Sequence, residues 1–394
     1  MKLKEKLAQG VLLSDGSMGA LLSSLGYGTP CPDELTVTHP EVIASVHESY
    51  LAAGSDIIIA DCFGSTEPVL KHKGKAGRTA EFTAAAVRLA KACAGEDRLA
   101  ACDMGPTGEF MFPVGERSFD EVYGWFSEQA RTAKTAGADF AYIETQTDLA
   151  ECRAACLAAR DAGLEVIASF SLSEKGRTLT GASAEACAVA LQAAGATALG
   201  INCSTGPEHM LDSVKRMRKV TNLPLAVQPN AGLPVTHADG TVTYPYTPEE
   251  LEKGMRAILA EGASIIGGCC GTTPDHIARL KPLTGGKLPE NEAQGEYLCS
   301  AREIYDVREA LSCPEHISDP EDAYDVDDDT TIIEIDAADF TVESIMELNA
   351  NTKLPLLINA DTREHTEQLL RAYAGRPAVR GCAEAAAVYG AYAL

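Results

Sequence analysis

Eight short apolar runs, each followed by a helical pattern, recur between residues 11 and 268, and this alternation constrains the fold more than any other feature. The strand-like runs are Val11–Asp15, Asp56–Asp61, Arg98–Asp103, Asp139–Glu144, Glu165–Ser171, Thr197–Asn202, Leu223–Gln228 and Ser264–Gly268. The Ala-rich helical stretches between them include Phe82–Cys93, Phe119–Ala136, Leu149–Ala162, Ala184–Ala194, Glu208–Val220 and Pro248–Glu261. Eight strands alternating with helices suit a parallel sheet that closes on itself. The sequence therefore predicts an α/β fold, a (β/α)8 TIM barrel.

The composition changes after the predicted barrel, which occupies residues 1–285. The following segment begins with Gly, Pro and polar residues and ends in the acidic run DPEDAYDVDDD, so we expect an extended, self-repelling acidic linker over residues 286–329. Strand and helix patterns return in residues 330–394. This last part is too short for a second barrel. We expect a small C-terminal α/β module.

The charge and the cysteine content exclude several classes of protein. The chain carries 33 Lys and Arg against 57 Asp and Glu, a formal net charge of -24, so we expect neither nucleic acid nor anionic membrane as a partner. The N-terminal MKLKEKLAQG does not resemble a signal peptide, and we expect a cytoplasmic protein. Thirteen cysteines in such a chain favour metal binding or catalysis over a disulfide framework.

Polar residues stand at or just after the ends of the predicted strands. They are Asp15, Asp61, Asp103, Glu144, Asn202 with Cys203, and Cys269 with Cys270. The carboxyl ends of the strands carry the active site in barrels of this type. Asp and Asn also begin turns and cap helices, and that reading stays open for Asp61 and Asp103.

The stretch GGCCG places Cys269 and Cys270 side by side at the end of the eighth strand. Neighbouring residues of a strand point to opposite faces, so both sulfurs reach one point only if the strand ends there, and Gly268 and Gly271 supply the backbone freedom. Cys203 ends the sixth strand. Three thiolates on one Zn²⁺ leave a fourth tetrahedral position open, as in catalytic zinc sites.

A zinc ion with three thiolate ligands is a weak Lewis acid, but it deprotonates a substrate thiol that occupies the open position. The resulting thiolate is a nucleophile at neutral pH, so this ligand set indicates thiol alkylation. One alternative is a glycine-rich phosphate cradle after the last strands, although the two thiols would stand where backbone amides should approach an anion. The remaining cysteines, including Cys152 and Cys156, suit core packing.

Several motifs occur in the order found in a known family. They are GSMG after Asp15, CPDELTVTHPEVIASVHESYLAAGSDII, FGST, DMGPTG, IETQTD, GINCS, QPNAGLP and GGCCGTTPDHI. Residues 1–285 thus resemble the homocysteine S-methyltransferase family, and within it the homocysteine-binding barrel of cobalamin-dependent methionine synthases.

The resemblance implies a role for each matching residue. Cys203, Cys269 and Cys270 would bind Zn²⁺, and the sulfur of homocysteine would take the open position. Asp15 and Glu144 would hold the substrate ammonium.

The resemblance also extends to the neighbours of these groups. The amides of Gly16, Ser17 and Met18 would face the substrate carboxylate. Asn202 would orient a ligand, and Asn230 would stand beside the metal when substrate is absent. ADCFGS replaces the commoner TNTFG, so contacts with the methyl donor differ there.

The methyl donor is the part that the motifs define least. The sequence contains no Asp-x-His-x-x-Gly cobalamin signature, and only a fragment of the tail resembles a pterin-binding barrel. We therefore expect methylcobalamin on a separate corrinoid protein, with the tail serving docking or homo-oligomerisation. Alternatives are S-methylmethionine or a betaine as donor, a non-catalytic zinc- and thiol-binding subunit, and a phosphate-binding barrel isomerase.

Overall fold

Eight parallel strands form the N-terminal part of the protein, as predicted. The computed structural model describes residues 2–237, 242–286 and 293–394. The barrel strands, numbered β1 to β8, are Leu12–Leu13, Ile57–Ile59, Leu99–Met104, Phe140–Gln146, Glu165–Phe170, Ala198–Asn202, Leu225–Gln228 and Ala263–Ile266. Each strand pairs in parallel with its neighbour in the order β2 to β8 and then β1. The eight strands confirm the predicted α/β fold.

The barrel closes between β1 and β2 through the backbone and the side chain of Asp56. Asp56 donates its backbone N–H to the carbonyl of Leu13 at 2.7 Å, and its carboxylate accepts the N–H of Leu13 at 3.0 Å. Arg98 and Lys281 pair with the same carboxylate at 2.5 and 3.3 Å. The Asp56 side chain therefore replaces ladder bonds that the very short strand β1 does not make.

Apolar side chains fill the interior of the barrel. Leu12, Ile57, Leu99, Phe140 and Ile265 belong to one buried cluster with other inward residues of the strands. Leu3 and Leu7 of the helix Leu3–Leu7 join the same cluster, so this helix covers the amino-terminal end of the barrel. The interior is a packed core, and only the opposite, carboxyl-terminal end is left for a site.

The outer helices follow the predicted pattern. Those of the barrel region are Met18–Ser24, Leu35–Thr38, Pro40–Ala52, Glu67–His72, Thr79–Ala94, Phe119–Ala136, Leu149–Asp161, Ala184–Ala193, Pro207–Val220, Pro248–Ala260 and Pro274–Leu280. The six predicted helices are confirmed. A short antiparallel hairpin, Val235–Thr236 with Val242–Thr243, follows β7.

The C-terminal unit contains a second parallel sheet. Its five strands, β9 to β13, are Pro314–His316, Ile332–Asp336, Leu356–Asn359, Ala378–Arg380 and Tyr392–Ala393, and they pair in sequence order. Its helices are Val307–Ala310, Val342–Asn351, Arg363–Ala372 and Ala383–Tyr389.

The expected extended linker over residues 286–329 is wrong for its described part. Tyr297–Cys299 and Ile304–Asp306 form an antiparallel hairpin, and β9 lies within the segment. Even the acidic run folds, because Asp319 caps a 3-10 turn and Ala323 between the carboxylates is buried. Ala323 is buried and Val326 packs against the core in part, which offsets the repulsion among the charges, while Tyr324 stays exposed.

The C-terminal unit packs on the barrel helices Leu149–Asp161 and Ala184–Ala193. The buried guanidinium of Arg153 donates to the carbonyls of Arg371 at 2.6 Å and Tyr389 at 3.4 Å, both at the ends of helices. Helix C-termini carry partial negative charge, which suits a buried cation. Among the described residues, no helix has the length and apolarity needed to cross a membrane.

Candidate metal and substrate site

The strand register places the candidate residues in one inward-facing layer. Alternate residues of a strand share a face. Two residues after the interior positions Ile59, Ala101 and Tyr142 come Asp61, Asp103 and Glu144. An even number of residues also separates interior and site residues on three other strands. Asn202 lies four residues after Ala198 on β6, Gln228 two after Ala226 on β7, and Cys269 four after Ile265, beyond the end of β8. The polar residues therefore form the layer above the apolar core, at the carboxyl end of the barrel.

Three sulfur atoms converge in this layer. The Sγ atoms of Cys203, Cys269 and Cys270 all lie within 4.8 Å of one another, and Cys203 and Cys270 are 3.9 Å apart. Sulfurs on a tetrahedral zinc are roughly 3.8 Å apart, given a Zn–S distance of about 2.3 Å. The donor set and its spacing fit a Zn²⁺ ion with one open position.

Unusual backbone conformations bring the three thiols together. Cys203 has a φ of 61°, in the left-handed region, just after β6. Gly271 has a φ of 78°, and a Cβ there would lie 2.3 Å from Cγ of Tyr244. A Cβ on Gly268 would lie 2.5 Å from the side chain of Thr272. Two of the three glycines of GGCCG are thus required, Gly271 by its conformation and Gly268 by close packing.

Hydrogen bonds among the thiols favour one thiolate. Donation from Cys203 and Cys269 lowers the pKa of Cys270, and a hydrogen bond from Tyr244 adds to this. Cys270 is fixed through its backbone N–H, which donates to Oδ1 of Asn230 at 3.1 Å. The three-cysteine cluster therefore favours a thiolate at Cys270, which is the form that binds a cation.

A row of four carboxyl groups stands beside the sulfurs, one from each of the first four strand ends. Burial raises the pKa of Asp15 to about 7 and that of Asp61 to about 8. Burial, and then the charges of Asp15 and Cys270, raise the pKa of Glu144 to about 8, and burial also raises the pKa of Asp103. Burial suppresses the ionisation of all four groups, and the negative charges of neighbouring groups add to this for Asp61, Asp103 and Glu144.

The carboxyls and thiols line one cavity of about 610 Å³. Among the described residues that line it there is no Lys, Arg or His. A buried site with this excess of acidic groups selects cationic ligands, since a cation restores the ionised state. The same lining argues against the phosphate cradle considered above.

The predicted substrate residues take different positions. Asp15, Gly16, Ser17, Met18 and Glu144 line the cavity. The Ser17 amide, however, already donates to Oγ1 of Thr272 at 3.2 Å, and Ser17 caps the helix Met18–Ser24. Its amide reaches a substrate carboxylate only if the Thr272 bond is given up.

Asn202 and Asn230 are buried behind the cavity and do not line it. Nδ2 of Asn202 donates to Glu144 at 2.9 Å and lies 3.9 Å from Sγ of Cys269, while its Oδ1 accepts from Ser169 at 2.7 Å. Asn230 contacts the amide of Cys270. In this structure both asparagines position their neighbours.

Two further residues of the cavity were absent from the sequence prediction. Gln228 lines the cavity and accepts a hydrogen bond from the hydroxyl of Tyr142 in the layer below. Its position in the inward register of β7 was the available signal. Tyr244 also lines the cavity, next to the hairpin after β7, and no local pattern marked it.

The sequence left open whether Asp61 and Asp103 begin turns or cap helices instead of facing the site. Neither side chain makes a hydrogen bond within the described part of the chain, and Oδ2 of Asp61 and Oδ1 of Asp103 are buried without a partner. Both line the cavity. Their carboxyl groups face the site instead of capping a helix.

Comparison with known proteins agrees with this geometry. A family model described as homocysteine S-methyltransferase matches residues 12–283. The chain is 31% identical to a methionine synthase of Mycobacterium leprae (strain TN) over 327 residues, 77% of this chain and 27% of that protein. It is 30% identical to a methionine synthase of Mycobacterium tuberculosis (strain ATCC 25618 / H37Rv), covering 75% of this chain and 26% of that one. The chain thus spans about a quarter of the length of these relatives.

Solved structures show the same barrel. The homocysteine methyltransferase MmuM from Escherichia coli in its oxidized form aligns with a TM-score of 0.60 at 27% identity, covering 71% of this chain and 98% of that one. Its metallated form aligns with a TM-score of 0.61 at 24% identity, covering 71% and 99%. With the family model matching well over half of its residues, this chain belongs to the homocysteine S-methyltransferase family.

Proposed function

We propose that the protein transfers a methyl group to the thiol of homocysteine, giving methionine, with Zn²⁺ held by Cys203, Cys269 and Cys270. The observation that carries the proposal is the convergence of three thiols beside four carboxyl groups in a cavity whose described lining has no basic side chain. The ligand such a cavity suits has two features, a thiol for the metal and a cationic group for the carboxylates. Homocysteine has both.

Bound Zn²⁺ would supply an electrophilic position at which a substrate thiol loses its proton at neutral pH. The protein's own residues hold that position. Cys203 is placed by its left-handed backbone, Cys270 by the amide bond to Asn230, and Cys269 by its N–H bond to the carbonyl of Pro229 at 2.8 Å. Asn202 ties the sulfur layer to the carboxyl row through Glu144.

We assign the substrate ammonium to Asp15 and Glu144. Oδ2 of Asp15 accepts the N–H of Ile59 at 2.8 Å, and Oε2 of Glu144 accepts from Asn202 at 2.9 Å, so both carboxyls are fixed in direction. A bound ammonium stabilises the ionised carboxylates that burial alone disfavours. This coupling makes amino-acid thiols better ligands than simple thiols.

We propose a methylated corrinoid protein as the donor, so that the cobalt-bound methyl is delivered by a partner. Exposed apolar side chains at the cavity support docking of such a partner, because Phe63 and Val242 line the cavity and are 38% and 51% exposed. Methionine as product is supported by the name of the two mycobacterial relatives.

A donor screen tests the proposal. Purified protein with measured zinc content is incubated with homocysteine and, separately, with a methylated corrinoid protein, S-methylmethionine or betaine, and methionine is quantified. Methionine from the corrinoid protein alone is expected, and methionine from S-methylmethionine or betaine alone would overturn the donor assignment. Turnover with none of these donors by zinc-loaded protein would favour a non-catalytic thiol-binding subunit.

Two cysteine variants separate catalysis from folding. Cys203→Ser should lose zinc and turnover while keeping the fold. Cys93→Ser, in the helix Thr79–Ala94 and outside the cavity, should keep both. Equal activity of the two variants would contradict a role for Cys203.

A further inference from the structure

Asp103 carries a buried carboxyl group that has no structural task in the described part of the chain. It lines the cavity, is 7% exposed, and its Oδ1 is buried without a hydrogen-bond partner. Its backbone carbonyl accepts from Nε2 of Gln129 at 3.0 Å and from Sγ of Cys62 at 3.3 Å, so the residue is firmly placed. A buried polar atom without a partner costs stability, which calls for an explanation at a binding site.

The strand pairing shows which part of the cavity Asp103 faces. On β3, Asp103 pairs with Tyr142 of β4, two residues before Glu144, so the Asp103 and Glu144 carboxyls stand on adjacent strands in one layer. Asp61 follows β2, which lies one strand farther from Glu144. The charges of Glu144, Asp61 and Asp15 all act on the Asp103 carboxyl, and that of Glu144 is the strongest of the three. Asp103 is therefore the carboxyl of the row that stands next to Glu144.

Building on the proposed function, we propose that Asp103 is a third carboxylate of the homocysteine ammonium subsite and determines selectivity for thiols with an α-amino group. An ammonium has three N–H donors to satisfy. Asp15 already accepts from Ile59 and Ser14, and Glu144 accepts from Asn202. The unpartnered Oδ1 of Asp103, on the strand next to that of Glu144, supplies the further acceptor.

The proposal predicts a selective loss of binding. Zinc-loaded wild type and Asp103→Asn are titrated calorimetrically with L-homocysteine and with 4-mercaptobutanoate, which has the same thiol and carboxylate but lacks the amino group. Asp103→Asn should weaken homocysteine binding roughly 10- to 150-fold, the range of a hydrogen bond to a charged group, and change 4-mercaptobutanoate binding by less than about 2-fold. The ratio of the two affinities is the readout.

Glu151→Gln is the matched control, since it removes a buried carboxylate that bonds to Thr107 outside the cavity. Its affinity ratio should stay within about 2-fold of wild type. Zinc content and circular dichroism establish that the variants are folded and loaded.

An Asp103→Asn protein that keeps the preference for homocysteine, or that loses both ligands equally, would overturn the assignment. Zinc-loaded wild type that binds neither thiol would instead contradict the proposed function itself.

Discussion

Glu144→Gln removes one charge from the carboxyl row with almost no change of shape. The Glu144 side chain accepts a hydrogen bond from Asn202 at 2.9 Å, and an amide oxygen can accept the same bond. A hydrogen bond between charged groups contributes about 1.5–3 kcal/mol, so homocysteine affinity should fall by roughly 10- to 150-fold. Zinc content should stay the same, because Glu144 is not among the three sulfur ligands.

The pH dependence of binding gives a second measure of the same group. In the metal-free site, burial first and then the charges of Asp15 and Cys270 raise the pKa of Glu144 to about 8. Zinc would offset the Cys270 charge but leave the burial, so in zinc-loaded protein a proton must still leave Glu144 at low pH before an ammonium binds as an ion pair. Below the pKa of Glu144, removing this proton costs about 1.4 kcal/mol for each pH unit, so wild-type affinity should rise from pH 6 towards pH 8. The substrate thiol also releases a proton, but it does so in both proteins. Glu144→Gln should therefore bind more weakly and with a flatter pH profile.

Calorimetric titration of zinc-loaded protein across this pH range is the assay, with metal analysis of every sample. Glu151→Gln is the matched control, since Glu151 is buried, has a pKa raised by burial to about 7, and bonds to Thr107 outside the cavity. It should bind homocysteine within about 2-fold of wild type. Loss of zinc from Glu144→Gln, or equal effects of the two substitutions, would refute the assigned role.

Three further predictions test the surrounding structure. Burial raises the pKa of Asp61 to about 8, so the protonated carboxyl contributes fully to stability below pH 4, and this contribution is lost as the pH rises through 8. In urea unfolding of metal-free protein, Asp61→Asn should remove up to about 5 kcal/mol of this pH dependence of the unfolding free energy. An unchanged dependence of the unfolding free energy on pH would contradict the prediction. Gly271→Ala should lower zinc affinity, because its Cβ would overlap Tyr244, whereas Gly74→Ala, with a φ of 70° and open space, should cost only about 1–2 kcal/mol of stability and keep zinc. Arg153→Met should lower the free energy of unfolding by about 2–4 kcal/mol and speed proteolysis of the C-terminal unit, since two helix carbonyls lose their donor; unaltered proteolysis would contradict this.

The barrel was predictable because its signals are local and repeated. The helix Phe119–Ala136 was predicted to both ends, and the structure shows why, with a capping box at Ser118 and a left-handed Gly137 after the last turn. Strand β1 is shorter than predicted, at Leu12–Leu13, because the Asp56 side chain takes over part of its pairing. The hydrogen bond between Asp56 and Leu13 joins residues far apart in sequence, so a local sequence pattern could not predict it.

The same distinction applies to the site and to the C-terminal unit. Cys269 and Glu144 could be placed from strand ends, since parallel strands all end at one rim. The bond from Asn202 to Glu144 and the position of Tyr244 depend on pairing between distant segments and on a loop conformation. The sequence analysis did not single out Arg153, and its burial arises because residues more than two hundred positions later pack over it.

Zinc K-edge X-ray absorption of the purified protein, recorded with and without homocysteine, tests the central claim most directly. The account predicts three sulfur neighbours at about 2.3 Å before homocysteine is added and four afterwards. Fewer than three sulfurs in the free protein, or a sulfur count that homocysteine leaves unchanged, would contradict it.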